Sequence, residues 1–406
     1  MSYRKKAFLG VGYLTLLNIL TQAISFLKLS ILARILMPAD FGVFALVTTT
    51  ITTFETLSET GFNYAAIHMN IEIKKIAKTL LVINIVRGIL LAMLTLLSAP
   101  LLSYFFKNTD LLILLLLASI IPFLRGFINP ITIRFQKELE FNKVFLAQFI
   151  PIVFTVISSI VLVYYFRSAL SLLLGLIVGT FSEVLFSYMI VTFPLKEPFN
   201  KKYIRKLFSY GKWITAGGLI NYLSIQIDNL FIGKFFGTEA LGLYDFAFKT
   251  ANLAFTQITD TISRVAFPLY VKRNKEKKHL QNLFIKNVLS VTIPAIFLTI
   301  PFLLFPKEIL LVLFGEKWLP AAPTLQILSV YGLLRASIGP GGPLFLSVGK
   351  PEILTKISTV TFVILLGLLF PLSKIAGVEG VALAMTISYL LIFPLYSYQI
   401  YKYFKK

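Results

Sequence analysis

The stretch "SIQIDNLFIGKFFGTEALGLYDF", residues 224–246, interrupts an apolar run with charged residues and glycines. A similar stretch, "SFLKLSILARILMPADFGVFA", occupies residues 25–45. The two align at a constant offset of 200 residues, which sets Gly42 opposite Gly242 and places an aromatic residue two positions after each glycine. A shared phrase at such an offset indicates that half of the chain is an internal repeat of the other half.

The composition of the 406 residues indicates a membrane protein. Hydrophobic residues make up 57% of the chain and charged residues only 14%, which is too apolar for a soluble protein of this length. Apolar runs of about 20 residues, the length that crosses a bilayer as a helix, recur from end to end. They predict an all-α polytopic membrane protein with about twelve transmembrane helices. The predicted spans are 10–36, 41–67, 77–98, 111–130, 144–166, 169–193, 208–233, 240–268, 283–305, 321–346, 353–373 and 378–400.

A second pair of segments extends the repeat. The segment "LRGFINP" at residues 124–130 matches "LRASIGP" at residues 334–340, here 210 residues apart. Because six spans separate the two copies, both halves enter the membrane from the same side, which predicts parallel repeats related by a pseudo-two-fold axis along the membrane normal. We therefore expect two six-helix lobes, residues 1–200 and residues 201–406.

The net charge of +21 indicates membrane topology rather than a nucleic-acid partner. If the first residue is cytoplasmic, most of the 39 lysines and arginines fall in inward-facing loops, as the positive-inside rule requires. This predicts a multi-pass protein of the cytoplasmic membrane with both termini in the cytoplasm and a first helix that is retained. The sequence has no cysteine and no GxxxxGK[ST] segment, so we expect no cofactor, no thiol-ligated metal and no ATP site in this chain.

Five cations lie deep inside predicted spans. Each would cost about 2.5–3.5 kcal/mol at the centre of a helix that faces lipid, so all five should face protein or water. An alternative is that acids at similar depth pair with these cations and only fix the packing of the helices. The cations are Lys28, Arg87, Arg125, Lys249 and Arg335, and the acids are Glu55, Glu59, Glu183, Asp228 and Asp260.

Polar residues also form stripes on four predicted spans. Side chains three, four or seven residues apart share one face of a helix. The stripes therefore predict a polar cavity lined by the first, second, seventh and eighth spans. Their members are Asn18, Gln22, Ser25 and Lys28; Thr48, Thr52, Glu55 and Glu59; Asn221, Ser224 and Asp228; and Lys249, Thr256 and Asp260.

The segment "GPGGP" at residues 339–343 predicts a break in the tenth span. Proline and glycine interrupt the helix there and leave backbone N–H and C=O groups without helical hydrogen bonds. Such groups are tolerated at membrane depth only where they line a cavity or are buried in protein. Gly217 and Gly218 should loosen the seventh span in the same way. Each break is either a hinge for alternating access or a static packing kink.

Four segments carry a resemblance to a known family. They are "LARILMPADFGVFAL" at residues 32–46, "DNLFIG" at 228–233, "GTEALGLYDFA" at 237–247 and "FP" at 267–268. With these segments the whole chain resembles the polysaccharide flippases (Wzx-type exporters) of the multidrug/oligosaccharidyl-lipid/polysaccharide superfamily. The resemblance implies two six-helix lobes around a central cavity. It also implies translocation of an undecaprenyl-diphosphate-linked oligosaccharide from the cytoplasmic to the outer leaflet, by alternating access, for surface polysaccharide biosynthesis.

The resemblance further implies partners and site residues. The partners would be the lipid-diphosphate-linked glycan, membrane lipids, and a polysaccharide polymerase and glycosyltransferases of the same pathway, with the transporter itself a monomer. Without an ATP motif, uphill export would draw on an ion gradient or the membrane potential. The implied substrate-binding residues are Lys28, Arg87, Arg125, Lys249 and Arg335. Gln22 and Asn221, from the polar stripes, complete the predicted substrate-binding set. The candidates for binding a coupling ion are Glu55, Glu59, Asp228 and Asp260.

Two other classes of protein remain open. A cation-coupled multidrug exporter of the same fold would favour an acid-rich, aromatic cavity, which the five deep cations argue against. An integral-membrane polysaccharide polymerase or glycosyltransferase would need a large outward loop or a metal-binding DDxxD cluster. The sequence shows neither feature, so we expect a transporter that is not an enzyme and has no metal site.

Overall fold

Helices form all the regular structure in the part of the chain that the computed structural model describes. This part comprises residues 3–58, 73–138, 140–193, 222, 225–273 and 276–405. The chain divides into two compact units, Met1–Leu223 and Ser224–Lys406. The lobe boundary that the repeat predicts, between residues 200 and 201, lies outside the described residues and stays a prediction.

The first unit is built around a pair of long helices that follow each other in the chain. In this unit α7 and α8 pack along each other, α1 packs on α7, and α2 lies against α3, α4 and α8. A short 3-10 turn, Pro130–Thr132, lies between α5 and α6. The helices are α1 (Tyr3–Ile35), α2 (Pro38–Leu57), α3 (Ile73–Phe106), α4 (Asp110–Ala118), α5 (Ile120–Arg125), α6 (Ile133–Lys137), α7 (Phe141–Phe166) and α8 (Ala169–Ile190).

Asp40 ties together the starts of two helices. Its Oδ2 accepts a hydrogen bond from the Met37 backbone N–H at 2.9 Å, and its Oδ1 accepts one from the Ala169 N–H at 3.1 Å. Helix N-termini leave backbone N–H groups without partners and carry the positive end of the helix dipole, so a carboxylate is favourable there. One side chain from the repeated phrase therefore stabilises the first turns of both α2 and α8.

Small residues set the close approach of α7 and α8. A Cβ added at Gly175 would overlap the Ser159 hydroxyl, and one added at Gly179 would overlap the Thr155 hydroxyl. The Ser158 hydroxyl donates to the Gly175 backbone oxygen at 3.3 Å. Glycine and hydroxyl residues at helix interfaces are the pattern that membrane helices use to bring backbones together.

The second unit repeats this construction with a longer final helix. Here α10 packs on α11, α13 and α14, and α13 packs on α11 and α15. A 3-10 segment, Glu316–Ala321, joins α12 to α13. The helices are α9 (described over 225–235), α10 (Gly237–Arg273), α11 (Lys277–Leu304), α12 (Pro306–Leu313), α13 (Ala322–Ile338), α14 (Gly341–Ser347) and α15 (Pro351–Lys405).

A single turn divides α15 into two membrane-length halves. Its 55 residues would extend about 80 Å as one straight helix, far more than the roughly 30 Å of a bilayer core. The helical geometry is interrupted at Ala376 and at Gly377, where φ is 58° and ψ is −133°. Only glycine adopts this backbone conformation without strain. The turn separates the two last predicted spans at the expected place.

The fourth predicted span is broken between α4 and α5 and the tenth between α13 and α14. The last helix of each unit makes hydrogen bonds to these spans, near the end of the fourth and at the break of the tenth. In the first unit the Asn129 side chain donates to the backbone oxygens of Ser187 and Val191 on and after α8, at 3.3 and 3.0 Å. In the second unit the Tyr396 hydroxyl donates to the Ile338 backbone oxygen at 2.6 Å. The break predicted at "GPGGP" is confirmed, since α13 ends and α14 begins there.

The chain is a membrane protein by the length and composition of its helices. Six of the described helices are long and apolar enough to cross a bilayer, and the divided α15 supplies two spans. Four of the other predicted spans coincide with α2, with the α4–α5 and α13–α14 pairs and with α10, which are shorter, broken or more polar. Of the seventh predicted span the structure describes the end, as α9. The six are Leu16–Ile35, Ile76–Phe106, Phe141–Phe166, Ala169–Ile190, Lys277–Leu304 and Pro351–Lys405.

Candidate functional site

An ion pair near the end of α2 anchors a first cluster of charged residues. Arg125, the last residue of α5, donates from Nη1 to both carboxylate oxygens of Glu55, at 2.7 and 2.6 Å. The Arg125 and Glu55 side chains are 37% and 21% exposed, so neither is sealed in the core. Among the residues that the structure describes, none accepts a hydrogen bond from Nε or Nη2 of Arg125. Within the described ranges, therefore, no protein acceptor covers one edge of this guanidinium, which we call its open edge.

Arg87 of α3 reaches the same turn of α2. Its Nη2 donates to the Glu55 backbone oxygen at 2.8 Å, and its Nε donates to the Ser58 hydroxyl at 2.9 Å. The Ser58 hydroxyl also donates to the Glu55 oxygen, at 2.9 Å. The last carbonyls of a helix lack partners within it and carry the negative end of its dipole, so they favour a cation. Two guanidiniums thus meet on residue 55, one at its side chain and one at its backbone.

Glu183 completes what we call the α2 cluster, which consists of Glu55, Ser58, Arg87, Arg125 and Glu183. Glu183 lies on α8, is largely buried, and interacts electrostatically with Arg125 and Glu55. The cluster therefore holds two cations and two acids, with no formal net charge. Among the described residues, an anion could therefore bind by replacing one of the two carboxylates or at the open edge of Arg125.

A second group of charges lies on α10. Lys249 Nζ is 2.6 Å from Asp245 Oδ2, four residues earlier on the same helix. The Lys249 side chain is 45% exposed and the Asp245 side chain only 6%. Removing the lysine would leave a nearly buried carboxylate without its cation, which is a costly arrangement. Part of the role of Lys249 is therefore to compensate Asp245.

Asp228 of α9 is buried beside this pair. Its Oδ2 accepts a hydrogen bond from the Tyr244 hydroxyl at 2.7 Å, and its Oδ1 accepts one from the Asn229 backbone N–H at 2.8 Å. It also interacts electrostatically with Asp245. Two acids and a phenol are thus gathered where α9 meets the first turns of α10.

The arginines that the repeat aligns make corresponding contacts. Arg125 binds Glu55 on α2, and Arg335, 210 residues later, donates from Nη1 to Asn252 Oδ1 on α10 at 3.2 Å. Asn252 lies one helical turn before the position that the repeat aligns with Glu55. In each unit, therefore, the arginine of the broken helix reaches the polar face of the helix that carries the repeated phrase.

The other predicted site residues are less fully placed. Lys28 and Gln22 are half-buried on α1. Asn221 and Glu59 lie outside the described residues, as does the side chain of Asp260. In the first unit the structure brings together Arg87, Arg125 and Glu55. In the second unit Lys249 pairs with Asp245, which in turn interacts electrostatically with Asp228. The predicted cavity between the lobes stays a prediction.

Several residues of these clusters were missed by the sequence reasoning. Asp245 sits inside the repeated phrase, and its spacing of four residues from Lys249 on one helix is the signal that could have identified the pair. The roles of Ser58 and Tyr244 depend on contacts between helices that no local pattern encodes. Asn252 flanks the predicted polar stripe of the eighth span, but its contact with Arg335 also depends on how the helices meet. Within the described ranges, no three His, Cys, Asp or Glu side chains converge as a metal ion would require.

The comparisons with known proteins agree with this architecture. The model of a family described as "Polysaccharide biosynthesis protein" matches residues 31–323. The teichuronic acid biosynthesis protein TuaB of Bacillus subtilis is 26% identical over 302 residues, which are 72% of this chain and 61% of that protein. The lipopolysaccharide biosynthesis protein WzxC of Escherichia coli is 26% identical over 398 residues, which are 97% of this chain and 79% of that protein.

A solved structure shows the fold. The lipid II flippase MurJ in an inward closed conformation superposes with a TM-score of 0.81 at 11% sequence identity, over 95% of this chain and 86% of that one. At this identity the likeness concerns the fold alone. The predicted fold class, an all-α polytopic membrane protein, is confirmed, and its fold is like that of MurJ and of an inward-facing MATE family multidrug transporter.

Proposed function

The chain belongs to the polysaccharide biosynthesis protein family, and from that premise we propose that it is a flippase for a lipid-linked glycan. It moves an undecaprenyl-diphosphate-linked oligosaccharide from the cytoplasmic to the outer leaflet for surface polysaccharide biosynthesis, by alternating access. It does so in the cytoplasmic membrane, with both termini in the cytoplasm. TuaB and WzxC, by their names, serve teichuronic acid and lipopolysaccharide biosynthesis, and they support this assignment.

The single observation that carries the proposal is the open edge of Arg125. A diphosphate headgroup cannot cross about 30 Å of hydrocarbon without polar partners. The planar guanidinium forms paired, charge-assisted hydrogen bonds with phosphate oxygens, and it keeps its charge in an apolar setting. Arg125 is held in place through one nitrogen by Glu55. Its Nε and Nη2 have no acceptor among the described residues, and in this proposal they bind the ligand. This is the geometry that a phosphate-binding arginine needs.

The remaining cations would contact other parts of the substrate. Arg87 lies on the same turn of α2 as the Arg125 pair and can share the diphosphate. Lys249 is half-exposed and retains donors that Asp245 does not use. Acidic or hydroxyl groups of the glycan would bind the other predicted residues. Lys28 and Arg335 are supported by the family resemblance, and Gln22 and Asn221 by the polar stripes.

Export against a gradient would be driven by an ion rather than by ATP. Glu55, Glu59, Asp228 and Asp260 are the proposed ion-coupling residues. Asp228 is the best placed of those described, because it is only 1% exposed and has a second acid nearby, so that a bound proton or sodium ion would relieve its burial. The chain itself would be monomeric and without catalytic activity, next to a polysaccharide polymerase and glycosyltransferases.

The test is transfer of an undecaprenyl-diphosphate oligosaccharide across proteoliposomes, scored by a glycan-cleaving enzyme added outside. We expect Arg125→Ala to lower transfer by at least about tenfold, equivalent to about 1.4 kcal/mol. Arg125→Lys keeps the charge but loses the planar guanidinium, so its transfer rate should lie between those of wild type and Arg125→Ala. The matched control is Arg134→Ala, which removes an arginine paired with Glu138 at an exposed site.

Thermal stability in detergent is measured alongside, because Arg125→Ala leaves Glu55 without its partner. Unchanged transfer by both Arg125 variants would remove this residue from the site. If the wild-type protein moves no glycolipid but drives proton-dependent efflux of organic cations, the multidrug-exporter alternative is correct instead.

A further inference from the structure

The acid on Arg125 has a consequence for substrate selection, which rests on the proposed function. A cationic site that opens to a bilayer meets phospholipid phosphates in vast excess over any glycolipid. These phosphodiesters carry the same chemical group as the substrate, with one negative charge fewer. A site made of arginines alone would fill with them, and a flippase so built would scramble its own membrane. Selectivity therefore requires an element that opposes binding of the wrong partner.

We propose that Glu55 is that element: its carboxylate is a resident anion on Arg125 that excludes singly charged phospholipid phosphates and yields only to a diphosphate. Both oxygens of Glu55 lie within 2.7 Å of Nη1. A phosphodiester that displaces Glu55 exchanges one single charge for another and gains nothing. A diphosphate brings one charge more, and it can use the open edge of Arg125 as well.

The neighbours of the pair support exchange rather than a fixed structural bridge. Both side chains are partly exposed, so an incoming headgroup can reach them. Arg87 is tied to the backbone of the same turn, through the Glu55 carbonyl and the Ser58 hydroxyl, so it keeps its place whatever the Glu55 carboxylate does. Glu183 acts on Arg125 from α8 and keeps the cluster formally neutral. Neutrality lowers the attraction for any single charge.

The experiment compares lipid movement by Glu55 variants in proteoliposomes of phosphatidylcholine that contain tail-labelled phosphatidylglycerol, with label in the inner leaflet protected from external dithionite. Glu55→Gln keeps the shape of the side chain and removes its charge, which leaves the cluster with a net positive charge. We expect this variant to move phosphatidylglycerol at least about tenfold faster than wild type, equivalent to about 1.4 kcal/mol. Glu55→Asp keeps the charge and should continue to exclude it.

Two controls fix the interpretation. Tail-labelled phosphatidylcholine has no net charge and should stay in place with every variant. Glu138→Gln removes an acid from an exposed pair with Arg134 and should behave as wild type. In detergent, phosphatidylglycerol should compete with the diphosphate glycolipid for binding to Glu55→Gln and should not compete for binding to wild type.

The outcomes separate the inference from the proposed function. Equal exclusion of phosphatidylglycerol by wild type and Glu55→Gln overturns the role of Glu55 and leaves the flippase assignment intact. Movement of phosphatidylglycerol by wild type also overturns it. If wild type moves no diphosphate glycolipid, the proposed function fails, whereas a gain of phosphatidylglycerol movement in Glu55→Gln would still support the exclusion.

A binding measurement covers the case in which Glu55→Gln does not reconstitute. Short-chain phosphatidylglycerol is added to the detergent-solubilised proteins, and the shift in melting temperature is recorded. Since a ligand that binds the folded state stabilises it, a shift confined to Glu55→Gln supports the exclusion. Equal shifts in wild type and variant, or none in either, overturn it.

Discussion

Replacement of Gly341 by alanine should destabilise the second unit far more than the same change at Gly342. A Cβ at Gly341 would overlap the Tyr396 hydroxyl, whereas a Cβ at Gly342 meets nothing within 4 Å. Overpacking of this kind costs about 1–3 kcal/mol. For a domain of 150–250 residues, 1 kcal/mol lowers the melting temperature by about 2–4 °C. Gly342→Ala is a neutral or slightly stabilising control, because alanine favours a helix.

The same contact predicts a partial rescue. Tyr396→Phe alone removes the hydrogen bond to the Ile338 carbonyl, a loss of about 1 kcal/mol in proteins generally and about 0.6 on average between membrane helices. It also removes the nearest of the atoms that a new methyl group at Gly341 would strike, while the ring carbon Cζ, which would overlap that methyl position as well, remains. The double variant should therefore be less destabilised than the sum of the single variants, by about 0.5–3 kcal/mol.

The assay is thermal unfolding in detergent, followed by intrinsic fluorescence, for wild type, the two alanine variants, Tyr396→Phe and the double variant. Strict additivity would refute the contact between Tyr396 and Gly341. So would equal melting temperatures for Gly341→Ala and Gly342→Ala. Either result would mean that the break between α13 and α14 is not held by the last helix.

Three further predictions follow from other contacts. Asp40→Ala removes the carboxylate that caps α2 and α8 and should lower stability by about 1–2 kcal/mol, measured as a drop in melting temperature that added salt does not restore. Gly175→Val should separate α7 from α8 at Ser159 and reduce the yield of folded protein in membranes, while Gly12→Val, where a Cβ meets nothing, should not. Lys249→Ala should abolish glycolipid transfer, and it also leaves the carboxylate of Asp245 without its cation. The double variant Lys249→Ala/Asp245→Asn removes that unpaired charge. If it regains stability but not transfer, Lys249 binds the substrate.

The described helices match the predicted spans most closely where a span is one long apolar run, as in α3, α7 and α8. The break at "GPGGP" and the separation of the last two spans near Gly377 are both encoded by glycine or proline, whose backbone effects are local. The prediction of about twelve spans also used local information, because the length of a spanning helix depends only on bilayer thickness. Six of the described helices meet the length and composition that spanning requires.

The candidate site was predicted only in part, because its geometry depends on which helices meet. The deep charges Arg87, Arg125 and Glu55 were identified from the energetic cost of burying them. That Arg125 selects Glu55, and that Arg87 takes the backbone of the same turn, depends on the packing of α3 and α5 against α2. Asp245 was overlooked because it lies in the largely apolar segment "GLYDFAF". Only its spacing of four residues from Lys249 indicates an ion pair.

The turn at Gly377 leaves the last two spans joined with almost no connecting peptide. A reporter, epitope or protease site inserted there would have to be accommodated by unwinding helix rather than by lengthening a loop, because no loop exists to absorb it. In a topology experiment based on insertions, an insertion at this turn should therefore disrupt the protein, although the turn is only the bend between two helices. Labels intended to report on that side of the membrane are better placed as single-residue substitutions.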